Sequence, residues 1–241
     1  MVSEPVSVDR DPLQFSFELP KIFPCLSLSQ CELIWDSVLG FSRHWSLRDG
    51  RCGFYTFGCP SYMDAGRSLD FYLYKAAQLN CLVKQVFHIL SSSLLHSLST
   101  HCAVSRDLVL PLPFASMPGF HIFAPATQPD QGVSSSFHQD RQHELIAPLI
   151  ENILRDEKRK SIDLISFTLP IKIPHSGAGL CCIERSGSLS RVVYALGEIV
   201  IHCGQVLHRI DDGYPYHDGD LRVTLQGHAV LTASGRLYYY W

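Results

Sequence analysis

The feature that most constrains the fold of this 241-residue chain is a change of texture near residue 108. Across 68 to 99, "SLDFYLYKAAQLNCLVKQVFHILSSSLLHSLS" keeps apolar residues at helical spacing, which predicts a long amphipathic helix. Beyond 108 the apolar runs shorten to strand length: "FHIFAP", "DLISFTLPIKI", "RVVYAL", "EIVIHC", "LRVTLQGHAVL" and "RLYYYW", separated by Gly, Pro, Ser and Asp clusters. Helices followed by many short strands predict an α+β chain whose helices buttress one face of a sandwich or barrel. Upstream, "SLSQCELIWDSVLGFS" signals a helix start with Ser29 and Glu32 as capping box, and Asp49-Gly50 in "LRDGRCGFYTFG" signals a hairpin. With no internal repeat, one domain is expected, residues 1–107 mainly helical and 108–241 mainly β.

The 46% hydrophobic fraction is enough to fill a core at this length. A net charge of -3 and a pI near 6.4 argue against a nucleic-acid surface, and Lys158, Arg159 and Lys160 sit in a mixed-charge run that reads as a solvated helix end. No segment has the roughly 18 consecutive apolar residues of a membrane helix, and "MVSEPVSVDRDPLQ" lacks the pattern of a secretory leader, so a cytoplasmic, membrane-free protein is expected. Nine cysteines, none in C-x-x-C pairs, read as reduced core residues.

The chemistry concentrates in "SSSFHQDRQHEL". On an extended segment, side chains at i and i+2 share a face, so His138 and Asp140 converge on one point. A third donor comes from "GEIVIHCGQVLHRI": Gly197 opens a turn, 198 to 203 form a strand, Gly204 breaks it, and His208 starts the next segment. Two histidines and one carboxylate make the facial triad that leaves open positions on one side of a non-haem iron. Fourteen residues on, Arg222 and Thr224 share a strand face, where a guanidinium fork and a hydroxyl could anchor a dicarboxylate; Asp220 is the competing partner for Arg222, and Arg191 and Arg209 are substitutes. His217, Asp218 and Asp220 in "YHDGD" form a rival cluster better read as a solvated loop. His143 reads as the start of a polar segment, and His202 as a core histidine or a group behind the ligands. "APATQPDQGVSSS" has the profile of either a mobile lid or a surface insertion.

In these motifs, "FHQD", "GEIVIHCGQVLHR" and "LRVT", the chain resembles the 2-oxoglutarate-dependent iron(II) oxygenases with a double-stranded β-helix, or jelly-roll, core, over roughly 115 to 241. Within that family "YTFGCPSYMD", "MPGFHIF", "TLQGHAV" and "LYYYW" look like the small branch acting on free amino acids and related metabolites. The resemblance implies that the helical first half shapes a substrate pocket lined by Tyr55, Asp64, His121 and Trp241.

It further implies a dioxygenase using Fe(II), 2-oxoglutarate and O2, with ascorbate as a candidate reductant. His138, Asp140 and His208 would hold the metal, and Arg222 with Thr224 the distal carboxylate of the keto acid. Oxidative decarboxylation to succinate would drive hydrogen abstraction from an unactivated C-H of a small molecule. Because Asp140 fills the position that halogenating relatives leave to Gly or Ala, hydroxylation is the expected outcome, with desaturation and cyclisation open to the same radical. Nucleic-acid demethylases of the wider family carry a second arginine six residues after the first, where this chain has His228. Hydroxylation of a protein or peptide residue, and a non-catalytic metal-binding jelly roll, stand as alternatives.

Overall fold

The computed structural model describes residues 20–48, 53–124, 136–155, 162–184, 186–211 and 220–241. In chain order the elements are β1 (Lys21–Pro24), α1 (Leu28–Gly40), β2 (Ser46–Leu47), β3 (Phe54–Phe57), α2 (Ser61–Asp64), α3 (Leu69–Cys102), β4 (Val109–Pro111) and β5 (Gly119–Phe123). There follow α4 (Gln142–Leu145), α5 (Ala147–Leu154), β6 (Ile162–Lys172), β7 (Gly179–Ile183), β8 (Leu189–Val193), β9 (Glu198–Cys203), β10 (His208–Ile210), β11 (Arg222–Thr232) and β12 (Leu237–Tyr240).

The larger sheet runs β1-β9-β6-β11-β5-β3-β2, with β12 pairing β11 and β4 pairing β12; the smaller runs β10-β7-β8. β11 organises the larger sheet: it pairs β6 over its length on one side, and on the other pairs first β5 and then β12. The result is the α+β jelly-roll architecture expected above, with the helices on one side of the large sheet.

Alternation along the large sheet divides two environments. One set of side chains, including Ile165, Phe167, Leu169 and Ile171 of β6, Ile199 and Ile201 of β9, and Val223 and Leu225 of β11, forms one core with Ile34, Val38, Val83, Leu90 and Leu94 of α1 and α3. The intervening positions include Val200, which packs on Leu180 and Cys182 of the small sheet, and a polar set: Ser166 and Thr168, His202, and Arg222, Thr224, Gln226 and His228. A strand with one hydrocarbon face and one row of hydroxyls, imidazoles and a guanidinium is built to enclose a site.

Local signals place the helices. α1 starts two residues before the expected box: Ser27 caps it and Gln30 returns the bond to the Ser27 backbone, 2.9 Å from Ser27 N. Both Ser27-Gln30 and Ser29-Glu32 satisfy the spacing rule, and the register that buries Cys31, Ile34 and Val38 decides between them. α3 covers the anticipated stripe and ends at Ala103 in the left-handed region, φ 51°. No helix among the described residues is long and apolar enough to cross a membrane. β2 and β3 pair antiparallel as anticipated; Asp49-Gly50 itself lies outside the described residues, as do most of "APATQPDQGVSSS" and Lys158 to Lys160. The described cysteines are all free thiols.

Trp241 fastens the helical half to the sheet. Its ring is fully buried over Gly58 and Gly119, where an added Cβ at Gly119 would lie 2.2 Å from the indole. Its carbonyl accepts from Ser61 N at 3.1 Å and from the Tyr72 hydroxyl at 3.0 Å. Trp241→Ala should therefore cost about 3–5 kcal/mol, read as a lowered midpoint in urea unfolding with little change in far-ultraviolet circular dichroism.

Candidate metal centre

The centre is assembled by backbone before any side chain acts. His138 N donates to His208 O at 3.0 Å and His208 N donates to His138 O at 2.9 Å, an isolated antiparallel bridge. Two residues on, Asp140 N donates to Gly204 O at 2.8 Å. The H-x-D segment is thus an extended stretch clipped to the turn between β9 and β10, not a strand of a sheet, and the i, i+2 geometry survives because the bridge holds it open. One ligand atom from each of His138, Asp140 and His208 lies within 4.8 Å of the others, the only such cluster of three or more among the described residues.

The histidines are aimed by their own loops. His138 Nδ1 donates to Ser136 O at 2.9 Å, and His208 Nδ1 donates to Val206 O at 2.8 Å. Placing the proton on Nδ1 leaves Nε2 of each ring as a free lone pair, the form a metal takes. His208 Nε2 is 3.5 Å from Asp140 Oδ2, and the His138 and His208 ring centroids are 4.6 Å apart. Two imidazoles and a carboxylate aimed at one point fit a divalent transition metal.

Asp140 is buried. Burial alone would raise its carboxyl, but His228, His208 and His202 together with a hydrogen bond from Ser166 outweigh that and hold it well below the usual carboxylate range. His202 is pushed down to about 4, chiefly by burial and by neighbouring His208, and so stays neutral; its Nδ1 lies 2.9 Å from Cys203 O and its ring centroid 4.6 Å from that of His208.

A cavity of about 510 Å³ opens beside the triad, between the two sheets. Thr168 and Gln226 of the large sheet, Leu180 and Ile210 of the small one, and Tyr194 beyond β8 line it. Against its wall Arg222 lies 1% exposed, its guanidinium 5.2 Å from the Tyr194 ring and 5.4 Å from the Phe123 ring, both lining residues. Its Nε and Nη2 have no hydrogen-bond partner among the described residues, and neither does Thr224 Oγ1 on the same face. Asp220, its suspected partner, is 3.0 Å from His175 Nδ1, and Arg191 is bound bidentately to Asp211.

Of the suggested pocket residues, His121 lines the cavity and bonds the Tyr62 hydroxyl at 2.7 Å. The other three do not reach its wall. Phe54 faces the cavity, so Tyr55, one residue along β3, points the other way and packs on Trp45. Asp64 is a buried structural anion bound to Arg48 at 2.9 Å and Lys75 at 3.0 Å. Trp241 lies behind His121, ring centroids 5.2 Å apart. His143 is half-buried outside the triad, and of the rival loop cluster only Asp220 lies among the described residues. Motif reading passed over Tyr62, Gln142, Ser166, Thr168 and Tyr194. The signal for two of them was present: Ser166 and Thr168 stand two apart as the hydroxyls of the otherwise apolar stretch 164–171.

No protein-family model and no curated protein matches the chain. Among solved structures it is similar to an N-substituted L-amino acid dioxygenase from Burkholderia ambifaria in complex with α-ketoglutarate, at 12% identity over 91% of this chain and 85% of that one, TM-score 0.53. A second structure of a dioxygenase of that description from the same organism gives a TM-score of 0.50 at 12% identity over 91% and 85%. A prolyl 4-hydroxylase from Phytophthora capsici gives 0.50 at 13% identity over 92% of this chain and 62% of that one.

The histidine shifts set a pH dependence. His202 binds a proton near pH 4 when folded and near 6.5 when unfolded, and burial likewise lowers His228. The unfolded chain therefore takes up more protons over this window, and stability present above about pH 6.5 is lost as pH falls towards 4. For His202 alone the loss approaches about 3 kcal/mol. In metal-free protein, His202→Gln should flatten the decline in melting temperature between pH 7 and pH 4. The chain has the jelly-roll fold of the 2-oxoglutarate-dependent oxygenases, with a His-Asp-His cluster lining its cavity.

Proposed function

We propose that the protein is an iron(II)- and 2-oxoglutarate-dependent dioxygenase that hydroxylates an unactivated C-H bond of a small molecule, with free amino acids and biosynthetic intermediates as the substrate class. The observation that carries this reading is Arg222. A guanidinium at 1% exposure, with two nitrogens unsatisfied among the described residues, is costly without an anion. The distal carboxylate of a keto acid chelated at the triad supplies that anion, with Thr224 Oγ1 as a further donor. Arg222 and Thr224 would thus fix one end of the cosubstrate while His138, Asp140 and His208 fix the metal at the other.

Iron and 2-oxoglutarate, when bound, supply the activation of dioxygen and the abstraction of hydrogen. The chain supplies aim and shelter. Tyr194 and Phe123 cover the guanidinium and exclude water, and burial raises the Tyr194 phenol, so it stays protonated beside an anion. His121 and Tyr62 present a hydrogen-bonded pair to the substrate side. At the rim, Arg141 and Glu144 pair at 2.6 Å with both side chains exposed, placing a cation and an anion within reach of one zwitterionic ligand. The cavity volume lies in the range of small-molecule sites, about 300–1,000 Å³, and the N-substituted L-amino acid dioxygenase shows the fold put to such use.

Anaerobic titration of the iron(II)-loaded protein with 2-oxoglutarate tests this. A weak visible charge-transfer band should develop, and Arg222→Ala should raise the dissociation constant for the keto acid at least about 30-fold. A band followed by succinate release stimulated by amino acids rather than proline-containing peptides supports the full reading. Metal binding with no band and no succinate contradicts it.

A further inference from the structure

Three residues behind the triad form a row that the metal chemistry alone does not explain. Across neighbouring strands, His202 of β9, Ser166 of β6 and His228 of β11 are paired in register, and Tyr240 of β12 follows next to His228. All four are buried on the site face of the sheet, and Asp140 rests on the middle of the row. Ser166 Oγ is 2.5 Å from Asp140 Oδ2 and 3.1 Å from His228 Nδ1. His228 Nδ1 is itself 3.8 Å from Asp140 Oδ2, too far for a direct bond.

Proton bookkeeping fixes the direction of the chain. An ionised carboxylate only accepts, so the single hydroxyl proton of Ser166 goes to Asp140 Oδ2. The Ser166 oxygen must then accept from His228 Nδ1-H, which sets the tautomer of His228 and removes the rotational freedom of the hydroxyl. Asp140 Oδ1 accepts separately from Gln142 Nε2 at 2.9 Å. Each carboxylate oxygen thus carries a protein hydrogen bond, and Tyr240 confines the imidazole from the side, ring centroids 5.7 Å apart.

We propose that Ser166 and His228 act as one positioning unit that, with Gln142, holds Asp140 as a single-oxygen ligand and so keeps the remaining metal positions open. This rests on the metal-centre reading above. A carboxylate free to rotate could turn both oxygens to a metal and consume a position that cosubstrate or dioxygen needs. With Oδ1 engaged by Gln142 and the orientation of Oδ2 set by a keyed hydroxyl, that rotation breaks two hydrogen bonds in a buried site. His228 is thereby assigned to the metal ligand rather than to the substrate.

Cobalt(II) titration of the full chain, read by visible d-d absorption without 2-oxoglutarate, tests the unit, with melting of the metal-free proteins in parallel. Ser166→Ala and His228→Leu should each weaken cobalt binding about tenfold or more. The double variant should be no more than about threefold weaker than Ser166→Ala alone, because a unit is lost once. His228→Asn, whose amide nitrogen can take the place of Nδ1-H, should bind within about threefold of the unsubstituted protein. Should Ser166→Ala fail to fold, the His228→Asn and His228→Leu pair decides. Equal cobalt affinity in folded His228→Leu overturns the proposal, as does a His228→Asn variant as weak as His228→Leu. If the unsubstituted chain binds no cobalt, the metal-centre reading itself falls and this inference with it, a result distinct from normal binding in the variants.

Discussion

The site depends on a two-residue backbone bridge. His138 and His208 lie 70 positions apart in sequence, and their reciprocal amide-carbonyl bonds bring two triad members together independently of any metal. The Asp140 amide extends the clip to Gly204, so the third member follows from chain geometry. His138 is exposed while Asp140 and His208 are buried, so the main-chain bonds tie an outer segment to the buried strand end. The triad is therefore organised by the same forces that close the jelly roll, and an incoming ion meets donors already gathered.

Around that clip, strand alternation separates stability from chemistry. Residues of one parity on β6, β9 and β11 bury hydrocarbon against α1 and α3, while the other parity places Ser166, His202, His228, Arg222 and Thr224 towards the cavity. A one-residue slip in any of these strands would exchange the two sets. The helices consequently do more than cover a surface: their apolar faces lock the register that points the polar row inward. Arg222 shows the cost of the arrangement, since a buried guanidinium whose Nε and Nη2 have no hydrogen-bond partner among the described residues is expensive to keep charged.

Much of this was legible in local pattern. The helical stripe over 68 to 99 and the later strand-length runs announced the α+β layout, and H-x-D with the distal histidine named the three residues whose ligand atoms meet. What local pattern could not resolve was decided by partners distant in sequence. Ser29-Glu32 and Ser27-Gln30 are equivalent capping spacings until the buried face of α1 chooses. Asp64 looks like a pocket acid until Arg48 and Lys75 close on it. Tyr55 and Phe54 compete for one wall, and only the pairing of β3 with β5 selects Phe54. His228 stood out as the residue where relatives of the wider family carry a second arginine, but its partner Ser166 becomes visible only when β6 and β11 are aligned.

In the proposed reaction, one metal ion and one keto acid bridge the space between the triad and Arg222. Anomalous diffraction from a crystal grown anaerobically with manganese(II) and 2-oxoglutarate tests it most directly. A single strong anomalous peak is expected, ligated by Nε2 of His138, a carboxylate oxygen of Asp140 and Nε2 of His208, with the distal carboxylate of the keto acid on the Arg222 guanidinium. A peak elsewhere, or a keto acid whose distal carboxylate lies away from Arg222, would contradict it.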